Sequence, residues 1–171
     1  MAQQANHALP EGFRIEEYTI TRQLSLGGFS IVYLATDAED NRVAIKEYLP
    51  NSLALRDQGE IKPLITAEHQ GAFRYGMKCF FEEGRALARL SHPNVIRVLN
   101  FFRANDTVYM VMEYERGRTL QEFIQTHRGE VTERFIRGVF TRLLNGLREV
   151  HSHKLLHLDL KPSNIYLRGD N

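Results

Sequence analysis

The chain has 171 residues, enough for one ordinary domain or for two small lobes with real cores. With 43% hydrophobic residues, 25% charged ones and a formal net charge of +1, it offers no whole-molecule attraction to nucleic acid or to an acidic membrane. One cysteine, Cys79, excludes an internal disulfide framework, and no apolar run approaches bilayer length, so a soluble, cytoplasmic protein with no membrane segment is expected.

The opening MAQQANHALP lacks the basic and apolar stretches of a signal peptide. Residues 1–12 are polar and close on Pro10-Glu11-Gly12, which reads as a disordered lead-in. From Phe13 the pattern turns to β. Tyr18, Ile20, Leu24 and Leu26 recur at even spacing against Thr19, Thr21, Gln23 and Ser25. Gly27-Gly28 breaks that strand and Ile31 to Ala35 resumes it, a hairpin pattern. After a turn over 37–41, a third strand spans 42–48, with Ala44 and Lys46 on one face and Val43 and Ile45 on the other.

Residues 50–74 carry Pro63, two glycines and mixed charge, and are expected to form an irregular insertion. A helix is predicted over 75–90, ended by Ser91-His92-Pro93-Asn94, followed by strands over 95–103 and 107–113. Gly117 marks a break. Thr119 has the chemistry of an N-cap for a short helix presenting Leu120, Phe123 and Ile124. A longer helix is predicted over 132–152, with Phe140, Leu143, Leu144, Leu147 and Val150 at helical spacing and Arg134, Arg137, Arg142 and Arg148 on a solvated face. These elements predict an α+β chain: a five-stranded lobe with one main helix over 13–115, joined to the start of a helical lobe over 116–171.

Three places could carry chemistry. On the 75–90 helix, Glu83 falls on a stripe with Leu87 and Leu90, where a carboxylate is costly unless paired. It is either a half-exposed residue at the stripe's edge or the partner of Lys46 in an ion pair inside a cleft. The glycine turn in LSLGGFSIVY is either a plain tight turn or an anion cradle, and its place just ahead of the Lys46 strand favours the latter. Finally, His157-x-Asp159-x-Lys161-x-x-Asn164 sets a carboxylate, an ammonium and an amide in one Lys-Pro turn. The carboxylate can orient a hydroxyl proton, the ammonium can neutralise a phosphoryl group, and the amide oxygen is a hard ligand for magnesium. An alternating strand entering a turn is the plainer reading. A zinc site of His151, His153 and His157 is set aside, because the first two cannot share a helix face. Cys79 reads as a packing residue.

Taken in order, the glycine turn, Val43-Ala44-Ile45-Lys46, Glu83 ahead of His92-Pro93-Asn94, and His157-Leu158-Asp159-Leu160-Lys161-Pro162-Ser163-Asn164 resemble a serine/threonine protein kinase of the bacterial type, from Phe13 onward. The resemblance implies a kinase fold that binds ATP and Mg²⁺ and acts on a protein serine or threonine. Leu26, Gly27, Gly28, Phe29 and Ser30 would cover the phosphates, and Val32 and Ala44 would roof the adenine. Lys46 would hold the α- and β-phosphates, locked by Glu83. Met112 would guard the back of the pocket, the backbones of Glu113 and Glu115 would bond the adenine edge, and Tyr166 would lie beneath it. Asp159 would position the acceptor hydroxyl, Lys161 would meet the γ-phosphate, and Asn164 would bind a magnesium ion.

The sequence departs from the kinase pattern in four ways. Ser25 and Ser30 replace two of the three motif glycines. Leu158 stands where an arginine usually docks a phosphorylated loop, so activation through that contact is not expected. The connection from Lys46 to Glu83 is long. The metal-binding Asp-Phe-Gly segment would fall beyond Asn171, so the chain reads as an N-terminal part of a kinase domain, expected to be inactive by itself. Two other classes fit less well: a pseudokinase or regulatory module that docks without transfer, and a small-molecule phosphotransferase, against which Lys161-Pro162 and His92-Pro93-Asn94 both count.

Overall fold

The computed structural model describes residues 6–169, which form two compact units: residues 6–89 with 97–114, and residues 90–96 with 115–169. The first unit is an antiparallel sheet of six strands and one long helix. The strands are β1 (Arg14–Ile15), β2 (Tyr18–Leu26), β3 (Ser30–Thr36), β4 (Arg42–Tyr48), β5 (Val98–Ala104) and β6 (Thr107–Glu113), in the order β1-β2-β3-β4-β6-β5, with α1 (Gln70–Leu87) inserted after β4. Five strands were expected; the sixth is the two-residue β1, too short to leave a period in the sequence.

Local chemistry makes the turns. Asp37 accepts hydrogen bonds from the backbone amides of Glu39 and Asn41 and so closes the β3–β4 connection. Asn105 and Asp106 both take positive φ, 49° and 61°, the pair of left-handed residues that a two-residue hairpin between β5 and β6 requires.

Strand register divides the sheet into two faces. Val32 pairs with Lys46 and Lys46 with Met110, while Leu34 pairs with Ala44 and Ala44 with Met112, so these six residues share the face that α1 covers. The opposite face presents Tyr33, Ala35, Val43, Ile45, Tyr109 and Val111, all buried in the larger core.

That second face is covered by two segments with little regular structure of their own. Residues 6–12, expected as a disordered lead-in, are instead docked: Leu9 is 3% exposed, and the Asn6 side-chain amide donates to the carbonyls of Leu49 and Ala54. Residues 1–5 of that lead-in lie outside the described residues. The insertion after β4 closes on itself through a bridge between Leu55 and Leu64. It places Arg56 against Glu47, both 0% exposed, with guanidinium-to-carboxylate contacts of 2.6 and 2.7 Å. The Tyr33 and Tyr109 hydroxyls donate to the two oxygens of Glu47, and Arg56 also donates to the His7 carbonyl. Among the described residues no buried side-chain polar atom lacks a partner. A desolvated ion pair holds only when its remaining donors and acceptors are satisfied in this way.

The helix α1 begins five residues earlier than the predicted residue 75 and ends three short of residue 90. Its inward stripe is Phe73, Phe80 and Gly84, with Met77 packed beside it. Gly84 lets the helix approach closely, since a Cβ there would lie 3.3 Å from the Met110 methyl and 3.4 Å from Phe101 Cβ.

The second unit contains β7 (Gly117–Thr119) paired with β8 (Tyr166–Arg168), α2 (Leu120–Thr126) and α3 (Glu133–Ser152). Thr119 caps α2, with its side chain accepting from the Glu122 amide and the Glu122 carboxylate accepting from the Thr119 amide. Thr132 caps α3 through the Phe135 amide. The His92-Pro93-Asn94 turn rests on α3 at Gly146, where a Cβ would lie 2.9 Å from the Asn94 carbonyl oxygen. Arg168 holds the turn from β8 by donating to the Pro93 carbonyl. Among the described residues no helix is long and apolar enough to cross a membrane.

Candidate functional site

The candidate residues fall into two sets, one in each unit. In the first unit a cavity of about 290 Å³ opens between the glycine turn, β4 and α1, lined by Phe29, Ser30, Lys46, Tyr48, Gly76, Cys79, Phe80 and Glu83. The glycine turn is firmly seated: Gly27 donates to the Ser30 carbonyl, while the carbonyls of Gly28 and Phe29 accept from the amides of Asn51 and Leu49. The start of the insertion therefore props the turn from behind. Ser25 and Ser30, the two serines at glycine positions, cost this turn little, because both sit in strands and neither takes a positive φ. Leu26, Gly27, Gly28 and Phe29 are all exposed, with the Phe29 ring at the tip.

Lys46 is half-buried on the cavity face of β4, and Val32, Ala44 and Met112 share that face beside it. Glu113, at the end of β6, donates its amide to the Arg97 carbonyl and is in register with Val43 of β4. Lys46 and Glu83 line the same cavity but form no ion pair, which corrects the expected lock between them. The ammonium of Lys46 instead lies 5.8 Å from the centre of the Phe80 ring. The reason is helical phase. The buried stripe runs through Phe80 and Gly84, so Glu83 sits at its edge and is exposed, not inward on a stripe with Leu87 and Leu90. Cys79, expected as a packing residue, is exposed on the cavity wall for the same reason.

In the second unit the segment 155–161 is no strand. It is an extended loop, entered through Leu158 at a positive φ of 59° and closed by a single turn of 3₁₀ helix over Pro162–Asn164. This conformation draws the three polar residues together. Lys161 Nζ lies 3.0 Å from Asp159 Oδ2, and Asn164 Nδ2 donates to both the carbonyl and Oδ2 of Asp159, each at 2.9 Å. The Asp159 amide in turn donates to the His157 carbonyl. Among the described residues Oδ1 of Asp159 and Oδ1 of Asn164 carry no such bond, so one carboxylate oxygen and one amide oxygen face outward as acceptors. Tyr166 is partly exposed at the start of β8, and Glu115 pairs with Arg168 at 3.2 Å.

The hydrogen bond from Lys161, supplemented by Asn164, holds the Asp159 carboxyl below its ordinary value of 3.8, against a smaller opposing effect of desolvation. Asp159 therefore stays a carboxylate throughout the physiological range. Lys161→Met is expected to raise the Asp159 pKa toward 3.8, which a carbon-detected NMR titration of the carboxyl group would read directly.

Each set by itself suits a phosphate group: in the first unit an ammonium inside a cavity under a glycine turn, in the second an ammonium beside a carboxylate and an amide. Among the described residues no three His, Cys, Asp or Glu side chains gather into a metal cage. A magnesium ion fits such a site only through one or two protein oxygens completed by the ligand's phosphates, and the Asn164 amide oxygen is suited to that.

Sequence reasoning missed Tyr48, Gly76 and Phe80 on the cavity wall. Tyr48 was within reach, because strand alternation puts it on the face of Lys46. Phe80 was within reach too, three residues before Glu83 on the predicted helix, whereas Gly76 has no side chain to mark it.

Comparison with known proteins agrees with this geometry. A family model described as protein kinase domain matches residues 18–171. A probable serine/threonine-protein kinase PknB from Lactococcus lactis subsp. lactis (strain IL1403) is 30% identical over 152 residues, covering 88% of this chain and 21% of the relative. Serine/threonine-protein kinase ULK3 from Mus musculus is 30% identical over 156 residues, covering 90% and 29% respectively. Among solved structures, the apo form of PpkA-294 superposes with a TM-score of 0.87 at 34% identity, covering 95% of this chain and 58% of that one. The PknI kinase domain from Mycobacterium tuberculosis, at 22% identity and a TM-score of 0.71, agrees in fold. The chain thus spans under a third of these curated relatives and under two thirds of these solved structures.

Proposed function

The chain belongs to the protein kinase domain family, and we propose that it is part of a serine/threonine kinase that moves the γ-phosphate of ATP onto a protein hydroxyl. The observation that carries this reading is the Asp159 cluster, in which Lys161 and Asn164 hold the carboxylate through Oδ2 and leave Oδ1 for an acceptor hydroxyl. The named relatives, themselves serine/threonine kinases, support the choice of acceptor.

Each residue then has a task. Lys46 binds the α- and β-phosphates in the cavity below the glycine turn, whose wall Glu83 also lines. Val32, Ala44 and Met112 enclose the adenine with the backbones of Glu113 and Glu115, and Tyr166 supports it from below. Lys161 offsets charge on the γ-phosphate. Asp159 orients the hydroxyl and accepts its proton late, a role that a carboxylate with a low pKa performs well because the transition state asks little of a base. Magnesium, shared between the Asn164 oxygen and the nucleotide phosphates, supplies charge neutralisation when bound. The single, exposed Cys79 suits a reducing compartment, so we place the chain in the cytoplasm.

Leu158 extends the proposal to regulation. At 88% exposure it offers a phosphorylated loop no cation, so activation does not run through that position.

A regulatory module that binds nucleotide without transferring phosphate is the second reading, favoured by the unpaired Lys46 and Glu83. The readings separate in one experiment. ATP is expected to raise the melting temperature of the chain more with magnesium than without it, as any ligand selective for the folded state does. Incorporation of label from γ-labelled ATP into a serine-containing protein, measured on a chain carried to the length of its solved relatives, is expected under the first reading. Magnesium-dependent stabilisation with no incorporation there would establish the second.

A further inference from the structure

We propose that Tyr48 is a positioning residue for Lys46, a wedge between β4 and α1 that sets how near Glu83 can come to the lysine; the proposal rests on the nucleotide reading of this cavity. Tyr48 is the last residue of β4, on the same face as Lys46 and paired with Ser30 at the exit of the glycine turn. Its ring lies 5.3 Å from that of Phe73 and 5.7 Å from that of Phe80, two turns apart on α1, so it fills the space between strand and helix. Its carbonyl accepts from the Thr107 hydroxyl, which anchors the wedge to β6.

The hydroxyl end meets the helix at Gly76. A Cβ on Gly76 would overlap the Tyr48 hydroxyl and lie 2.6 Å from Cζ, so α1 rests on this ring with no slack. Glu83 lies two turns further along the same helix. A helix moves as a rigid rod, so its seat on Tyr48 determines where the carboxylate comes to rest. With the wedge in place Lys46 faces the Phe80 ring, and Glu83, one turn beyond Phe80, lines the same cavity without pairing with it. Burial raises the Tyr48 phenol above its ordinary range, consistent with a ring lodged between the two elements.

Alanine in place of a glycine inside a helix ordinarily raises stability. Gly71, on the same helix, has nothing within 4 Å of a Cβ and serves as the control. Three readings are taken on the chain and on Gly71→Ala, Gly76→Ala, Tyr48→Leu and the Tyr48→Leu/Gly76→Ala double variant. They are thermal unfolding, the rate at which a small maleimide alkylates Cys79, and affinity for a non-hydrolysable ATP analogue with magnesium. Cys79 is the sole thiol in the chain and stands on the cavity wall one turn beyond Gly76, so its rate reports the width of the opening without any nucleotide.

Gly71→Ala is expected to raise the melting temperature and Gly76→Ala to lower it. Gly76→Ala is also expected to speed Cys79 alkylation about threefold or more and to weaken the analogue about tenfold, the scale on which overpacking is felt. Tyr48→Leu in the Gly76→Ala background is expected to return both to within about twofold of the parent, since the smaller side chain makes room for the added methyl. A role in stability alone would not restore affinity measured well below every melting temperature.

The wedge is overturned if Gly76→Ala stabilises the chain as Gly71→Ala does, if it leaves the Cys79 rate unchanged, or if the double variant shows the sum of the single losses. Failure of the parent chain to bind the analogue would strike the nucleotide reading alone, because melting and alkylation test the wedge without it.

Discussion

Arg56→Met is expected to destabilise the first unit by about 3–5 kcal/mol, the usual cost of leaving one buried charge without its partner. Arg56 meets both oxygens of Glu47 in a site from which water is excluded, and neither side chain has any exposed surface. With methionine at 56, Glu47 keeps two phenol donors but loses its counter-charge. The N-terminal segment also loses its tie from Arg56 to the His7 carbonyl. Adding Glu47→Leu is expected to recover most of the loss and to leave a deficit of about 1–2 kcal/mol for two phenols deprived of their acceptor. Urea unfolding of the parent, the single and the double variant reads all three numbers, and a single variant within about 1 kcal/mol of the parent would mean that water reaches Glu47.

The pH dependence has a definite sign. Burial first, and the Glu47 charge next, push the Tyr33 and Tyr109 phenols well above their ordinary value of 10.0. For groups whose folded pKa is raised, the stabilisation is whole below the unfolded value and is lost as pH climbs past it. The network is therefore intact at neutral pH, and the unfolding free energy falls only above about pH 10.

Under the proposed function, in which Asp159 would touch the acceptor hydroxyl and not the nucleotide, Asp159→Asn is expected to lower phosphoryl transfer by about 10² to 10⁴ while changing nucleotide affinity by less than about twofold. Asparagine preserves the size of the side chain and can still accept from Lys161 and Asn164, so the loop keeps its shape. What it loses is the charge that draws and then receives the hydroxyl proton. The measurement is steady-state transfer to a serine-containing protein, by a chain carried to the length of its solved relatives, beside calorimetric binding of an ATP analogue. Equal losses in both would make Asp159 a fold-supporting residue.

The parts of the fold legible from sequence were those written locally. Alternation along 42–48 separated the Lys46 face from the Ile45 face, and the register agrees. Thr119 announced the start of its helix by cap chemistry alone, and the apolar spacing over 132–152 announced the longer one. The polar cluster around Asp159 was legible because all its members lie within six residues of chain. What was hidden depends on partners distant in sequence. Nothing near Asn6 or Leu9 signals that a polar lead-in will be buried, because the groups that bury it belong to Tyr33, Ala54 and Arg56. The Glu47–Arg56 pair was invisible for the same reason: its two members meet only after an irregular insertion has folded back.

The error at Lys46 and Glu83 has a different origin. α1 is seated partly through glycines, Gly76 on Tyr48 and Gly84 on Met110, and a glycine leaves no apolar mark in a periodicity search. Leu87 does pack inward, but Glu83, four residues before it, falls at the edge of the stripe through Phe80 and Gly84, and counting it with the leucines turned it inward. The structure puts the carboxylate on the rim of the right cavity but out of contact with the lysine.

The nucleotide cavity on Lys46 is the claim on which the rest depends, and calorimetric titration of a non-hydrolysable ATP analogue with magnesium into the parent chain and Lys46→Met tests it most directly. One saturable site is expected in the parent, weakened about 10- to 150-fold in the variant, the equivalent of about 1.5–3 kcal/mol for a hydrogen bond to a charged group. Equal affinity in the two chains would contradict the account, because the nucleotide would then lie somewhere other than beside Lys46.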